Sequence, residues 1–216
     1  MNEPDFHFTF HFSNFQYPLS QDTALEAGVE IVHLISQENI SVLLQQTRNG
    51  EWDTNDVHRA MMPSKGKACI STISLKQRQE VFQWNQKDTL EKIHLLSEED
   101  LLWLIQQTEN GHWIKNDVYK ACMKESFSGD CVISLLPHEQ QVEVLQWNLT
   151  ESLWNIRLLS SVLSKESLIW LVRQTAEAHR SRKQVHNALT EAENTGSNSD
   201  NKITEALALL KEIEKD

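Results

Sequence analysis

Glycine, proline, cysteine and positive charge are all in short supply in this chain of 216 residues. Six glycines and four prolines are few for a protein built from hairpins and tight turns, so the composition favours helices. Three cysteines, an odd number at irregular spacing, predict free thiols in a reducing, cytoplasmic compartment. The net charge of −11 argues against nucleic acid or an anionic membrane surface as a partner.

Long apolar runs and catalytic signatures are missing too. No apolar stretch approaches the ~18 residues that span a bilayer, and the first residues lack the basic and apolar regions of a signal peptide. No phosphate-binding glycine loop or nucleophile elbow is present, so we expect no enzyme. His33 and His94 share a repeat position where the third copy has Arg157, which cannot replace a metal ligand. We therefore expect no metal or cofactor.

One passage of about 62 residues is present three times. Thr47, Thr108 and Thr175 close the same motif and lie 61 and 67 residues apart. A single helical-repeat domain is predicted over 22–216, because one such copy cannot bury its apolar face alone. The domain consists of repeat 1 at 22–87, repeat 2 at 88–150 and repeat 3 at 151–216, and repeat 3 contains a predicted mobile loop at 193–202. A Phe-rich arm at 1–21 precedes the domain.

Each copy is predicted to hold four helical segments. The second segment has apolar residues at i, i+3 and i+4, the pattern of a helix buried on one side. A serine is expected to cap it, and Asn49-Gly50 or Asn110-Gly111 is expected to turn the chain after it. The third segment is expected to start with an Asn-Asp cap pair, and Ser74 with Gln77 is expected to form a capping box at the fourth segment. The predicted segments are Asp22–Leu34, Thr89–Leu95 and Ser152–Leu158 (lead-in); Gln37–Thr47, Glu98–Thr108 and Lys165–Thr175; Asn55–Met62 and Asn116–Met123; and Leu75–Asn85, His138–Asn148 and Thr204–Glu214.

The predicted fold class is all-α, a right-handed α-solenoid or superhelical stack of three repeats. A half-repeat of leucines, Ser or Pro, and Glu recurs at Ser36, Ser74, Ser97, Pro137 and Ser164. It resembles the short helical repeats of superhelical bacterial domains such as the cytosolic part of MgtE-type magnesium transporters; no function is carried across. The alternating phenylalanines of Phe6–Phe12 are typical of a strand. This arm either caps the first hairpin, pairs with a partner's edge, joins two chains in a homodimer, or hydrogen-bonds with the β-branched links Cys69–Ile73 and Cys131–Leu135.

Repeated glutamines and tryptophans are the candidate functional residues. In a solenoid, equivalent positions form rows, and a glutamine row either satisfies backbone groups between repeats or lines a groove that binds a peptide. A tryptophan at a helix end is either a wedge in the core or an exposed anchor for a partner. The predicted partner-binding residues are Gln46, Gln107, Gln174, Gln83, Trp84, Gln146 and Trp147.

The sequence therefore predicts a non-catalytic adaptor or regulator that binds a protein, and the acidic charge favours a partner with a basic patch. The acidic helical terminus resembles the translocation signals of some bacterial type IV secretion effectors. The alternative is thus an effector, or a regulator of one, that enters a host cell without a signal peptide. A small enzyme on a helical scaffold is a third class.

Overall fold

The computed structural model describes residues 37–63, 69–124, 131–176, 182–194 and 201–213. These residues form twelve α-helices and four short 3-10 helices, and no strand occurs among them. The all-α prediction is confirmed for this part of the chain. The phenylalanine arm, the lead-in Asp22–Leu34 and the cap Ser36 lie outside the described residues.

The chain divides into two compact units between Leu95 and Leu96. In the first unit, α1 is Gln37–Arg48, α2 is Thr54–Met61, α3 is Leu75–Trp84 and α4 is Gln86–Glu91, with 3-10 helices at Cys69–Thr72 and Ile93–Leu95. In the second unit, the helices are α5 Glu98–Glu109, α6 Lys115–Met123, α7 His138–Trp147, α8 Leu149–Trp154, α9 Ile156–Val162, α10 Lys165–Arg173, α11 Arg182–Asn194 and α12 Asn201–Ile213, with 3-10 helices at Val132–Leu135 and Gln174–Ala176.

The predicted helices match these bounds to within a few residues, except for the lead-ins. The lead-in of the second copy is α4 and the 3-10 helix Ile93–Leu95 rather than one segment at Thr89–Leu95. The lead-in of the third copy is two helices, α8 and α9, rather than one segment at Ser152–Leu158. The predicted loop at 193–202 is too long, because α11 continues to Asn194 and α12 begins at Asn201. Lys202 is held there by bonds from Nζ to the carbonyl oxygens of Ser161 (3.3 Å) and Leu163 (3.0 Å).

Serine caps start several helices as predicted. Ser74 and Gln77 form a complete capping box at α3, and Ser164 accepts from the Ser167 amide at α10. Each such cap pairs a backbone N–H that the helix leaves unbonded. The expected Asn-Asp cap at the third segment is wrong. Asp53 caps α2, and Ile114 precedes α6 without a side-chain cap, so the Asn-Asp pairs lie inside the first turns.

The two Asn-Gly turns have the same backbone geometry. Gly50 and Gly111 have φ of 81° and 82°, in the left-handed region that favours glycine. In the first turn, the amides of Gly50 and Glu51 donate to the carbonyls of Thr47 (3.0 Å) and Gln46 (3.0 Å). This pair of bonds is the Schellman motif, which ends a helix by satisfying its last carbonyls. The turn at Gly111 repeats it (3.1 Å and 2.9 Å).

The apolar stripes of the second segments are buried as expected. Ile40 and Leu44 of α1, Leu101, Leu104 and Ile105 of α5, and Leu168, Leu171 and Val172 of α10 all lie in the core. Burying one such side chain stabilises the fold by about 1.5–3 kcal/mol. Leu43 is the exception and is half-buried.

The threonines that close these segments occupy similar environments. Thr47 and Thr108 are buried, and each hydroxyl donates to the carbonyl four residues earlier, at 2.8 and 2.7 Å. Thr175 is also buried, and its hydroxyl donates to the Val172 carbonyl at 2.8 Å. No helix in the described ranges is both long and apolar enough to cross a membrane.

Candidate protein-docking faces

The three glutamines of the second segments are all half-buried. Gln46 accepts a bond from the Trp52 indole at 3.4 Å, so it supports the turn between α1 and α2. Gln174 donates to the Trp170 carbonyl of its own helix at 3.4 Å. Gln46 and Gln174 therefore have local side-chain bonding roles, whereas no side-chain bond to a described residue is assigned to Gln107.

Trp113, the counterpart of Trp52, is buried at 3% exposure and packs edge-on against Trp103, with ring centroids 6.4 Å apart. Its indole Nε1 is buried without a hydrogen-bond partner among the described residues.

Gln83 and Gln146 lie on the surface, each just before the last residue of its helix. Trp84 and Trp147, which follow them, are half-buried. Each tryptophan thus keeps part of its large side chain accessible. The structure places Gln83 and Trp84 in the first unit, and Gln146 and Trp147 in the second.

An acidic residue completes the same surface in both units. Glu80, Gln83 and Trp84 stand at i, i+3 and i+4 of α3, so they share one helix face. Glu143, Gln146 and Trp147 repeat this arrangement on α7. The opposite side of each helix is core, formed by Val81 and Phe82 in α3 and by Val144 and Leu145 in α7. We call each set of three a Glu-Gln-Trp face.

The asparagine that follows each face has a structural task. Asn85 accepts from the Asp88 amide at 3.0 Å and so caps α4, and it donates to Asn55 Oδ1 at 3.0 Å. Asn148 caps α8 in the same way through Glu151 (3.2 Å) and reaches Asn116 (3.3 Å). Folding therefore explains the Asn of the repeated Gln-Trp-Asn motif. It does not explain the exposed glutamine, whose side chain has no bond assigned to it within the described ranges.

The two faces differ in the charges beside them. In the first unit Arg48 of α1 holds Glu80 of α3 through two bonds, Nε to Oε1 (2.6 Å) and Nη2 to Oε2 (2.5 Å). In the second unit the position of Arg48 is taken by Glu109. Glu143 there accepts from the Trp147 indole at 2.8 Å.

A buried polar cluster joins α2 to α4 in the first unit. The ring of His58 is fully buried, with Nε2 2.9 Å from Thr89 Oγ1. Its Nδ1 lies 3.1 Å from Asp88 Oδ2 but is too poorly aligned for a hydrogen bond. Burial lowers the pKa of His58, Asp88 opposes that shift, and Lys92 adds to it. Lys92 Nζ is itself bonded to Asp88 (2.7 Å) and to the Met62 carbonyl (2.6 Å).

The second unit has a neutral version of this cluster. Tyr119 replaces His58 and is fully buried, with its hydroxyl oxygen 3.2 Å from Ser152 Oγ. Burial raises the pKa of Tyr119. Thr89 also donates to the Phe82 carbonyl (3.1 Å), just as Ser152 donates to that of Leu145 (3.1 Å). His58 and Tyr119 are therefore both core residues.

Cys122 and Cys131 are buried thiols. Cys122 is fully buried in an apolar setting, which raises the pKa of its thiol to about 12. Cys131 is also buried and lies 3.5 Å from the Met123 carbonyl. Within the described ranges, no group of three or more His, Cys, Asp or Glu side chains is placed to hold a metal ion.

Comparison of the chain with protein-family models, with curated proteins and with solved structures gave no match. The assignment of function therefore depends on the chain's own residues.

Proposed function

We propose that this chain is a non-catalytic helical-repeat adaptor or regulator that binds a protein partner through its Glu-Gln-Trp faces. The observation that carries the proposal is the identity of the two faces among neighbouring surface residues that differ between the copies. Lys76, Gln79 and Lys87 around the first face correspond to Glu139, Val142 and Thr150 around the second. The surface has changed, while Glu, Gln and Trp are the same in both copies.

The side chains of these faces suit protein recognition. A partly exposed tryptophan offers a large rigid surface, and tryptophan is enriched among the residues that dominate binding energy. The exposed amides of Gln83 and Gln146 offer donors and acceptors to a partner's backbone. The half-buried Gln46, Gln107 and Gln174 belong to the same proposal as a second row. Stacking of the three copies into a right-handed superhelix is part of it as well.

Affinity capture with mass spectrometry tests the proposal. We expect the wild-type chain to retain a protein that both Trp84→Ala/Trp147→Ala and Gln83→Ala/Gln146→Ala lose. Glu166→Ala/Lys183→Ala, at exposed positions elsewhere, is the matched control and should retain it. Equal capture by all variants would refute the proposal, provided that circular dichroism shows folded proteins.

Three further results refine the assignment of function. If the tryptophan pair unfolds the chain, those side chains serve the core, and the glutamine pair alone then decides the case. Capture from bacterial and from host-cell extract separates a resident adaptor from a secreted effector. Capture with and without residues 1–20 reports whether the phenylalanine arm contributes.

A further inference from the structure

We propose that the Glu-Gln-Trp face of the second unit binds an arginine side chain of the partner protein, held between Glu143, Glu109 and the Trp147 ring. This inference rests on the proposed function and adds the chemistry of the bound group. In the first unit, Arg48 already makes this interaction with Glu80 within the chain. The second unit keeps the side chains that would receive an arginine, but it has no arginine at the position of Arg48.

The internal arginine of the first unit defines the receiving groups. Arg48 meets Glu80 through two parallel bonds, the fork geometry that guanidinium and carboxylate groups favour. A third bond runs from Arg48 Nη1 to Gln45 Oε1 at 3.0 Å. One arginine therefore bridges a glutamine of α1 and the glutamate of the Glu-Gln-Trp face.

The second unit keeps both receiving side chains. Gln106 stands at the position of Gln45, and Glu143 at that of Glu80. The position of Arg48 is occupied by Glu109, an exposed residue whose Oε2 accepts from Gln106 Nε2 at 3.1 Å. Helices α5 and α7 are in contact. No salt bridge is assigned to Glu109, Glu139 or Glu143 in the part of the chain described here.

The surroundings of the second face also favour a cation. Lys76 of the first unit corresponds to the exposed Glu139, one turn before Glu143 on the same helix face. Residues 1–95 carry eight Lys and Arg against 12 Asp and Glu, whereas residues 96–216 carry 12 against 19. The excess of negative charge is therefore larger in the second unit, which attracts a positively charged segment more strongly.

The Trp147 ring already has a cation near it. Lys115 Nζ lies 5.8 Å from the ring centroid, within the range of a cation–π interaction. The Trp147 indole nitrogen donates a hydrogen bond to Oε1 of Glu143 at 2.8 Å, which leaves Oε2 of Glu143 for an incoming group. Arginine fits better than lysine, because its planar fork can bond a carboxylate and stack on an indole together.

The test uses the full chain and a defined probe, the peptide Arg-Gly-Arg-Gly-Arg. Nuclear magnetic resonance follows the indole N–H signal of Trp147, identified by its loss in Trp147→Phe. We expect the peptide to shift this signal, and we expect its citrulline analogue, neutral but of similar shape, to have no effect. Glu109→Arg recreates the internal pair of the first unit and should weaken peptide binding at least tenfold.

Glu212→Arg is the matched control, because it makes the same change in net charge at an exposed position of α12. It should leave the affinity within about twofold of the wild type, as expected for a surface change away from the site. The inference fails if the peptide does not shift the Trp147 signal, or if Glu212→Arg weakens binding as much as Glu109→Arg does. Either failure leaves the proposed function standing if the glutamine pair still abolishes capture.

Discussion

The hydroxyl of Thr89 lies 2.9 Å from Nε2 of His58 in a fully buried contact that joins α4 to α2. The same hydroxyl donates to the Phe82 carbonyl at 3.1 Å. It is therefore the acceptor for the ring when Nε2 carries the proton, and it links two helices whose residues are 31 positions apart. One small side chain satisfies two buried polar groups.

Thr89→Val should destabilise the chain by about 1–3 kcal/mol. Valine has nearly the same shape, so the loss comes from the buried Nε2 of His58, which is left without the Thr89 hydroxyl, and from the missing bond to the Phe82 carbonyl. Urea denaturation followed by circular dichroism measures the change. Thr89→Ser, which keeps the hydroxyl as in Ser152 of the second unit, should recover most of the stability. A valine variant as stable as the wild type would show that this bond does not hold α4.

The first unit should lose stability in acid through His58. Its pKa is lowered in the folded state, chiefly because burial disfavours the charged ring; Asp88 opposes the shift and Lys92 reinforces it. The unfolded state then binds more protons below about pH 6.5, the ordinary pKa of histidine. The stabilising contribution is complete above that pH and falls as the pH drops towards the folded-state pKa.

Hydrogen–deuterium exchange at pH 7.5 and 5.5, expressed as protection factors, checks this prediction. Protection of α2 and α4 should fall at pH 5.5 more than that of α6 and α8, where Tyr119 does not titrate in this range. His58→Gln should reduce the difference between the units. An equal loss of protection in both units would show that His58 does not control the acid response.

Much of the helical content follows from local pattern. Apolar spacing placed α1, α5 and α10 within a few residues, and Ser74 with Gln77 fixed the start of α3. Both signals act within one or two turns, so a sequence shows them directly. The sequence does not show the buried polar clusters directly, because His58 contacts Thr89 only after α2 and α4 pack. A polar residue on a helix looks solvent-facing until its partner, 31 residues away, is known.

The candidate faces were foreseen only in part. Repetition identified Gln83, Trp84 and their counterparts, but not the glutamate of each face. The role of Glu80 becomes visible only through its ion pair with Arg48, which lies on another helix and is 32 residues away. Comparison of the two copies could have found the signal, since the exchange of Arg48 for Glu109 is visible in the sequence. The geometry of the Arg48–Glu80 pair was needed to see that this exchange leaves Glu143 without the equivalent arginine.

Gly50→Ala and Gly111→Ala should each destabilise the chain by about 1–2 kcal/mol, the cost of left-handed backbone for a residue with a Cβ atom. A Cβ atom at either glycine would have no neighbour within 4 Å, so steric crowding adds nothing. Thermal or urea denaturation measures both variants. Asparagine at the same positions should cost less, because it tolerates this conformation better than alanine. An alanine variant with unchanged stability would contradict the Schellman geometry.

Asn148→Ala and Gln146→Ala, two residues apart, should have opposite consequences. The asparagine caps α8 and reaches Asn116, so its loss should lower the free energy of unfolding by about 0.5–2 kcal/mol. Gln146 is exposed with no bond assigned to it, so its loss should stay within about 0.5 kcal/mol. Parallel urea denaturation and partner capture separate the two effects. Asn85→Ala and Gln83→Ala repeat the comparison in the first unit. If Gln146→Ala destabilised the chain as much as Asn148→Ala, the repeated glutamine would serve to stabilise the fold. The proposal that the Glu-Gln-Trp face binds a partner would then lose its main support.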